Sequence, residues 1–511
     1  MPDLSTIEKP NSRFLDRAGL SGFPWFTALA LYTISYGWFW NVRNSYWVDD
    51  WWAFYYPGIP HWWLVLGFPK WIYLNKWLYG LIGPGFMRLI IFIVFFLSAI
   101  CFYGILKKFK LLNDQYRKFA TLLFLLLPFN STRVTFMVYH YTTAYFYFFL
   151  AWYLIVTFSS LWVRILATSI FFISFMNHSL PVYFALPILH LFSLQKISEW
   201  RQIVVWVREN FFLILSAPTY WTLRWFFWNT TMTGLHNPSI PQLWLLTKIL
   251  VLPGFIVLSI LVVSRYRVLS DRQNMYLMAI SIFAIFLGLA PYVAYGSFHG
   301  PNALRLGIGL MAGYWVYFLG DSNWQDRFLI LQPLGVSLFI CSLFYYFPQK
   351  FKKVQSSFQI FTLTFCVLFN LGIGFEFMVD DAKRNEVVAE LQGVGYDSTF
   401  TQYAIIDNAK HLSVRGVVST DWIYIVPNAY DLKPERLIVS DECVSSSDVR
   451  LVIIDGEESY WKVFQQWLDN RNFGFSVQII NGPTLCAADL VKNVPSRSQI
   501  PFLKYFTGVK N

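Results

Sequence analysis

The stretch FMRLIIFIVFFLSAICFYGIL, residues Phe86–Leu106, decides the fold class. It supplies about the 20 apolar residues that a helix needs to cross a bilayer, and Arg88 is its one charge. Similar apolar runs recur between residues 24 and 375: Phe119–Leu127, Leu243–Ser264 and Met275–Pro291. Backbone polar groups in hydrocarbon must be satisfied within their own segment, so such runs form helices. They predict an α-helical polytopic membrane protein with about eleven to thirteen transmembrane helices.

The composition of the chain agrees with this fold class. Of its 511 residues 56% are apolar, 20% aromatic and only 14% charged, with a mean hydropathy of +0.45, unlike an ordinary soluble domain. The net charge of +11 comes from the first 375 residues, because the remainder is net acidic. Basic loops on the cytoplasmic side of a membrane explain this excess, and no basic stripe with a nucleic-acid-binding module is present. We therefore expect a lipid bilayer, and no nucleic acid, as partner.

Lysine and arginine positions predict the orientation. Residues 1–22, with Lys9, Arg13 and Arg17, form a cytoplasmic segment, and no cleavable signal peptide is expected because charges precede the first apolar run. A multi-span membrane domain follows over residues 23–377, with Pro24–Trp40 as its first crossing. Residues 41–85 then form an outer loop, whose many tryptophans are typical of headgroup level: Trp47, Trp51, Trp52, Trp62, Trp63, Trp71 and Trp77. The expected location is the plasma membrane.

Residues 378–511 change character and predict a small soluble α/β domain. Ala382–Gln392 and Glu457–Asn470 have helical periodicity, whereas Gln402–Ile406, Arg450–Ile454 and Phe475–Ile480 are typical strands. Strict alternation of the crossings would place Lys350, Lys352 and Lys353 outside, against the positive-inside tendency. If one segment between Arg327 and Lys350 does not cross, the last membrane helix, about Phe358–Phe375, runs outward. We expect that arrangement, which places the tail outside the cytoplasm.

An acidic pair, Asp49 and Asp50, follows the first predicted crossing in the sequence SYWVDDWWAF, residues 45–54. The other acids between Arg17 and Glu376 fall in loops assigned to the cytoplasmic side. Two carboxylates beside an apolar wall can serve as a general base or share a divalent ion, Mg²⁺ or Mn²⁺. The alternative is a solvated acidic pair at the end of a helix.

Histidines and arginines gather at the predicted outer face. Five of the seven histidines map there: His61, His140, His178, His236 and His299. Arg43, Arg133 and Arg305 lie at or near outer helix ends, where snorkelling is the ordinary explanation. Arg305 is the best exception, because the Gly/Pro-broken loop YGSFHGPNALR, residues 295–305, carries both it and His299. Arginine binds phosphate well in a low dielectric, so this loop is a candidate phosphate site.

These features resemble the GT-C superfamily of membrane glycosyltransferases, which use polyprenyl-phosphate-linked sugars. The resemblance rests on the first-loop acidic pair in VDDW, residues 48–51, on the aromatic multi-span body and on the late Arg305 loop. It implies that Asp49 or Asp50 is the catalytic base or binds a metal. It further implies that Arg305, with His299, holds the donor phosphate. A signature of the Trp-Trp-Asp-Tyr-Gly type is absent from the sequence, which argues against an oligosaccharyltransferase catalytic subunit.

The resemblance implies an inverting transfer of a sugar from the lipid-linked donor to an outer-face acceptor, which is a glycolipid, a polysaccharide or a protein. Arg43, Arg133, His61, His140 and His236 are further candidate substrate-binding residues. A transporter or flippase of lipid-linked sugars is the alternative from another class, and would line a midplane pathway with ionisable groups. A polysaccharide polymerase or ligase is a third alternative and would rely more on Arg and His. The sugar, the acceptor and the oligomeric state are not encoded in any motif of the chain.

Overall fold

The computed structural model describes residues 22–47, 50, 73–109, 112–129, 135, 139–177, 179–194, 200–227, 272–294, 330–345, 352–409, 412, 419–433, 436–440, 448–457 and 459–481. These residues are mostly helical and include one small mixed sheet, as predicted. They belong to two compact units whose boundary falls between Asn370 and Leu371. Unit 1 holds the helices up to Asn370, and unit 2 holds residues 371–481 together with residues 38–47 and 50. Residues 38–47 and 50, which follow the first helix, therefore belong to the same compact unit as the C-terminal domain.

Unit 1 is a helical bundle. Its helices are α1 (Trp25–Tyr36), α2 (Tyr73–Lys108), α3 (Asp114–Leu126), α4 (Tyr139–Thr157), α5 (Leu161–Ser174), α6 (Leu180–Tyr183), α7 (Ala185–Leu194), α8 (Trp200–Glu209), α9 (Phe211–Phe227), α10 (Arg272–Ala294), α11 (Gln332–Tyr345) and the first part of α12 (Lys352–Val394). Aromatic rings from α2, α3 and α4 form the centre of its core, with Phe102 and Tyr145 packed on Phe124 at centroid distances of 4.6 and 6.0 Å.

Local sequence explains where these helices begin and bend. Asn113 caps α3, since its Oδ1 accepts a hydrogen bond of 3.0 Å from the backbone N–H of Tyr116. In α2, Gly83 has a φ of 72°, a backbone conformation suited to glycine, and Pro84 follows it. The helix is therefore broken at this pair, and the long apolar part begins after it.

Two described helices are long and apolar enough to cross a bilayer: Gly80–Lys108 within α2 and Lys353–Val394 within α12. Five shorter apolar helices accompany them: Leu161–Ser174, Leu180–Leu194, Phe211–Leu223, Asn274–Gly288 and Gln332–Phe344. The helix predicted as the first crossing, α1, has 12 residues and continues into a 3-10 helix, Gly37–Trp40. The predicted apolar run Leu243–Ser264 lies outside the described residues, so the count of eleven to thirteen crossings stays a prediction.

Unit 2 contains an α/β domain formed by β1 (Gln402–Asp407), α13 (Ser419–Ala429), β2 (Ile438–Ser440), β3 (Val449–Asp455), α14 (Tyr460–Asn470) and β4 (Ser476–Asn481). The strand order is β2-β1-β3-β4, with β1 parallel to both neighbours and β4 antiparallel to β3. Alternate residues of the strands face opposite sides of the sheet. Tyr403, Ile405, Val452 and Ile454 pack with the end of α12, α13 and α14, whereas Ala404, Leu451 and Ile453 form a second cluster.

The predicted elements of the tail are confirmed to within a few residues. The last apolar helix and the amphipathic helix predicted after it form one continuous helix, α12. Helix α13 and strand β2 were not predicted. The thiols of Cys101, Cys341 and Cys366 are buried and free, as expected, whereas Cys443 and Cys486 lie outside the described residues.

Candidate functional site

The segment 38–47 runs along the end of α12 and brings the acidic loop to it. Trp38 stacks on Phe377 at 5.3 Å between ring centroids, and its ring lies so close to Gly374 that a Cβ there would overlap it. Further along, Asn41 Nδ2 donates to the Met378 sulfur at 3.8 Å and Ser45 Oγ donates to Asp381. Residues more than 330 positions apart thus form one packed surface.

Asp50 is fully buried in this surface and is held by Trp47. The backbone N–H of Trp47 donates to Asp50 Oδ2 at 3.3 Å, and the backbone N–H of Asp50 donates to the Trp47 carbonyl at 2.7 Å. A carboxylate that accepts from the backbone N–H three residues earlier stabilises the start of a helix. Asp50 is therefore a capping residue of a buried turn as well as a candidate base, and its side chain is not solvated. Asp49 lies outside the described residues.

Arg384 of α12 is the cation that meets this turn. Its guanidinium lies 5.8 Å from the centre of the Trp47 ring, donates to the Tyr46 carbonyl, and donates from Nη2 to Asp421 Oδ2 at 3.1 Å. Trp47 thus contacts both the buried carboxylate of Asp50 and a buried arginine from far later in the chain. The sequence analysis expected a cation near the acidic pair from the Arg305 loop; that loop lies outside the described residues, so the expectation stays a prediction. Among the described residues, the cation that contacts Trp47 comes from the part of α12 that belongs to unit 2.

A second buried cation neighbours Arg384. Lys383 Nζ lies 2.9 Å from Asp407 Oδ2 at the end of β1, and the side chains of both residues are at most 3% exposed. The other oxygen of Asp407 accepts from the backbone N–H of Ala409 at 2.9 Å. Buried charges of this kind are stable only when they are paired and hydrogen-bonded, which both lysine and carboxylate are.

Asp380 departs from that rule. Its side chain lies in α12, three and four residues before Lys383 and Arg384, and is 1% exposed. Among the residues that the structure describes, neither of its carboxylate oxygens has a hydrogen-bond partner. A buried polar group without a partner is uncommon and is a feature of functional sites. Sequence analysis did not single out these residues: Lys383 and Arg384 fall in the predicted amphipathic helix Ala382–Gln392, and Asp380 lies just before it.

Most of the predicted site residues lie outside the described residues: Asp49, His61, Arg133, His236, His299 and Arg305. Arg43 is described and exposed, and it folds back onto its own segment, with Nη1 donating to the Trp40 carbonyl at 3.1 Å. His140 is buried at the start of α4 in unit 1, with its ring 4.1 Å from that of Tyr141. Of the predicted set, Asp50 is thus the residue that the structure places beside buried charges of the C-terminal domain.

Within the described part of the chain, no group of three or more His, Cys, Asp or Glu side chains has a geometry suited to a metal. Asp49, the other acid of the predicted pair, lies outside that part, so the metal site considered for Asp49 and Asp50 stays a prediction.

Searches against protein-family models, curated proteins and solved structures find no match to this chain. Its fold and its candidate site are therefore inferred from its own residues alone.

Proposed function

We propose that this chain is a multi-span plasma-membrane glycosyltransferase. In this proposal it moves a sugar from a polyprenyl-phosphate-linked donor to an acceptor on the outer face. The observation that carries the proposal is the buried Asp50, in the segment directly after the first helix, held against the same tryptophan as Arg384. Enzymes tune a general base by burying it and by placing charged groups in its surroundings.

The membrane part of the proposal is supported by apolar side chains on the surface of unit 1. In the first part of α12, Phe358, Ile360, Phe361 and Leu368 are 48–65% exposed, and on α5 Trp162 is 78% exposed. Soluble proteins rarely display large apolar patches, whereas a surface facing lipid requires them. Together with the two helices of spanning length and the five shorter apolar helices, this favours a bundle within the bilayer.

The proposed reaction is a single displacement with inversion. The acceptor hydroxyl transfers its proton to the carboxylate of Asp50 or Asp49, and its oxygen forms a bond to the anomeric carbon. The bond from that carbon to the phosphate oxygen breaks, and the lipid phosphate leaves with the electron pair. A cation must offset the charge that develops on the phosphate, and Arg305 with His299 is the pair proposed for this task.

The decisive variant is Asp50→Asn, because asparagine retains an oxygen that can accept from the Trp47 N–H but cannot act as a base. Turnover of a polyprenyl-phosphate-linked sugar in membranes should fall by roughly a hundredfold or more, the contribution typical of a general base. Asp49→Asn is measured alongside, since either carboxylate is a candidate. Asp469→Asn is the matched control, because Asp469 is exposed at the end of α14.

The outcome separates three roles. Loss of turnover with an unchanged melting temperature in Asp50→Asn supports the base. Undiminished turnover in both Asp49→Asn and Asp50→Asn would contradict it and leave Asp50 as a helix cap. Movement of the lipid-linked sugar across the membrane without any transfer would favour the transporter or flippase.

A further inference from the structure

Unit 1 contains an apolar cavity that the proposed reaction does not use. It is narrow, with a volume of about 70 Å³, and it is partly open to the surface of the bundle. The walls come from α2, α4, α7, α10 and α11, and include Phe102, Leu106, Trp152, Leu186, Phe283 and Leu334. Phe109, just beyond the end of α2, and His190 of α7 complete it at one side, where their rings meet edge to face at 4.8 Å.

His190 supplies this cavity with a hydrogen-bond donor. Its Nδ1 accepts a hydrogen bond of 3.0 Å from Trp152 Nε1–H, and a neutral imidazole has one accepting and one donating nitrogen. The proton therefore sits on Nε2. That nitrogen is buried, in a residue 2% exposed, and it has no hydrogen-bond partner within the described part of the chain.

The other polar group of the wall does not compete for a ligand. Ser193 Oγ donates to the carbonyl of His190 at 2.7 Å, within its own helix. An apolar side chain at position 190 would avoid the cost of an unmet buried donor. The cavity thus combines a hydrocarbon wall with one neutral N–H, which suits an uncharged acceptor such as a carbonyl and disfavours a phosphate or carboxylate.

The residues that line the cavity indicate how deep it lies in the predicted membrane. Phe109 directly follows Lys107 and Lys108, which mark the predicted cytoplasmic interface. Leu189 lines the cavity and is also 49% exposed, so the wall continues to the outer surface of the bundle. A ligand entering there from the bilayer would place its first polar group near the headgroup level.

We propose that this cavity binds the part of one acyl chain of a membrane glycerolipid that lies next to the ester, with the ester carbonyl accepting from His190 Nε2–H and the rest of the chain lying in the bilayer. A glycerolipid fits because its first polar group after the hydrocarbon is an uncharged ester, whereas that of a polyprenyl phosphate is an anion. The inference uses the membrane proposal but not the glycosyl transfer, so inactivity of the enzyme would leave it standing.

The test uses the full-length protein in vesicles that contain a phosphatidylcholine with a photoactivatable diazirine in one acyl chain. After irradiation and digestion, mass spectrometry locates and quantifies the lipid adducts. We expect adducts concentrated on the cavity residues of α2 and α7. Leu189→Trp should reduce them roughly tenfold by overfilling the wall, whereas Leu194→Trp, exposed on the same helix and outside the cavity, should not.

His190 variants test the hydrogen bond itself. His190→Phe removes the donor and should reduce the cavity adducts by about fivefold, the value of one hydrogen bond. His190→Gln retains an acceptor for Trp152 and a donor for the lipid, so it should keep adducts near the native level even if the phenylalanine variant folds poorly.

Three results would overturn the proposal. Adducts spread evenly over exposed apolar residues would show that the cavity has no preference for the lipid. Equal labelling in the native protein, Leu189→Trp and His190→Phe would lead to the same conclusion. Labelling of the cavity by a diazirine-bearing polyprenol, with none by phosphatidylcholine, would reject the glycerolipid as its occupant.

Discussion

Ionisable groups are placed differently in the two compact units. In unit 1, the described ion pairs gather on Asp114 at the start of α3, whose side chain is 54% exposed; Lys118 lies 2.6 Å from it and Arg117 3.8 Å. In unit 2, the pairs Lys383–Asp407 and Arg384–Asp421 have side chains no more than 6% exposed. Surface pairs contribute little to folding, whereas buried ones are costly to break.

In the helical bundle, uncharged hydrogen bonds join buried groups. Tyr36 and Tyr183 donate their buried hydroxyls to the carbonyls of Leu127 and Leu331, at 3.3 and 3.0 Å. Among the described residues of unit 1, Arg88 is a buried cation that departs from this pattern. In the described part of the chain, most of the buried charge thus lies in unit 2, near the segment that carries Asp50.

The largest effect on folding is expected from breaking the buried pairs. Asp407→Asn leaves Lys383 buried without its counter-charge, and Asp421→Asn does the same to Arg384. Each should lower the free energy of unfolding by about 3–5 kcal/mol. Glu457→Gln is the control, because its pair with Lys462 is 3.8 Å apart and partly exposed, and should cost about 0–1 kcal/mol. Denaturant unfolding of the purified protein measures all three, and equal losses would remove the contrast between buried and exposed pairs.

A smaller effect is expected where Trp38 packs on the end of α12. Gly374→Ala places a methyl group in the Trp38 ring, and should destabilise the segment by about 1–3 kcal/mol. Gly372→Ala is the matched control on the same helix, because no described atom beyond the neighbouring helix backbone lies within 4 Å of the new Cβ. It should stabilise the protein by up to about 1 kcal/mol through helix propensity. Thermal melting would contradict the packing of segment 38–47 if both variants were stabilised alike.

The smallest effect concerns alkaline pH. Burial raises the pKa of the Tyr403 phenol well above its usual value, with a further contribution from Tyr430. A group with a raised folded pKa stabilises the protein below its unfolded pKa, near 10, and this contribution is lost as the pH rises further. The melting temperature should therefore fall as the pH rises above about 10, and less so in Tyr403→Phe. Parallel pH profiles of the two proteins would argue against a role for this phenol.

Local patterns predicted the elements whose signal is local. The apolar run Phe86–Leu106 and the strand Gln402–Ile406 can each be recognised from their own consecutive residues. The structure has a helix over the first and a strand over the second. Helix α13 was missed because Pro427 interrupts its pattern, although the proline lies near its end. Trp47 was interpreted as a headgroup anchor, but it is fully buried and packs against Phe377. The two residues are 330 positions apart, and a periodic pattern in the sequence cannot predict a contact over that distance.

The same limit applies to the site. The aromatic neighbours of Asp50 indicated burial correctly, because a carboxylate among tryptophans is seldom solvated. The arginine that contacts Trp47 could not be identified from the sequence, because Arg384 lies 337 positions away and no local pattern predicts that contact. The role of Arg305 stays a prediction, since Arg305 lies outside the described residues.

The most direct test of the whole account is the side of the membrane on which unit 2 lies, because segment 38–47 and the C-terminal domain share one core. Single cysteines at the exposed positions Arg43, Asp469 and Arg201 are introduced after replacing Cys443 and Cys486 with serine. A membrane-impermeant maleimide is then applied to intact cells. We predict labelling of Arg43→Cys and Asp469→Cys at once, and of Arg201→Cys only after permeabilisation. Labelling of Arg43→Cys and Asp469→Cys from opposite sides would contradict the account.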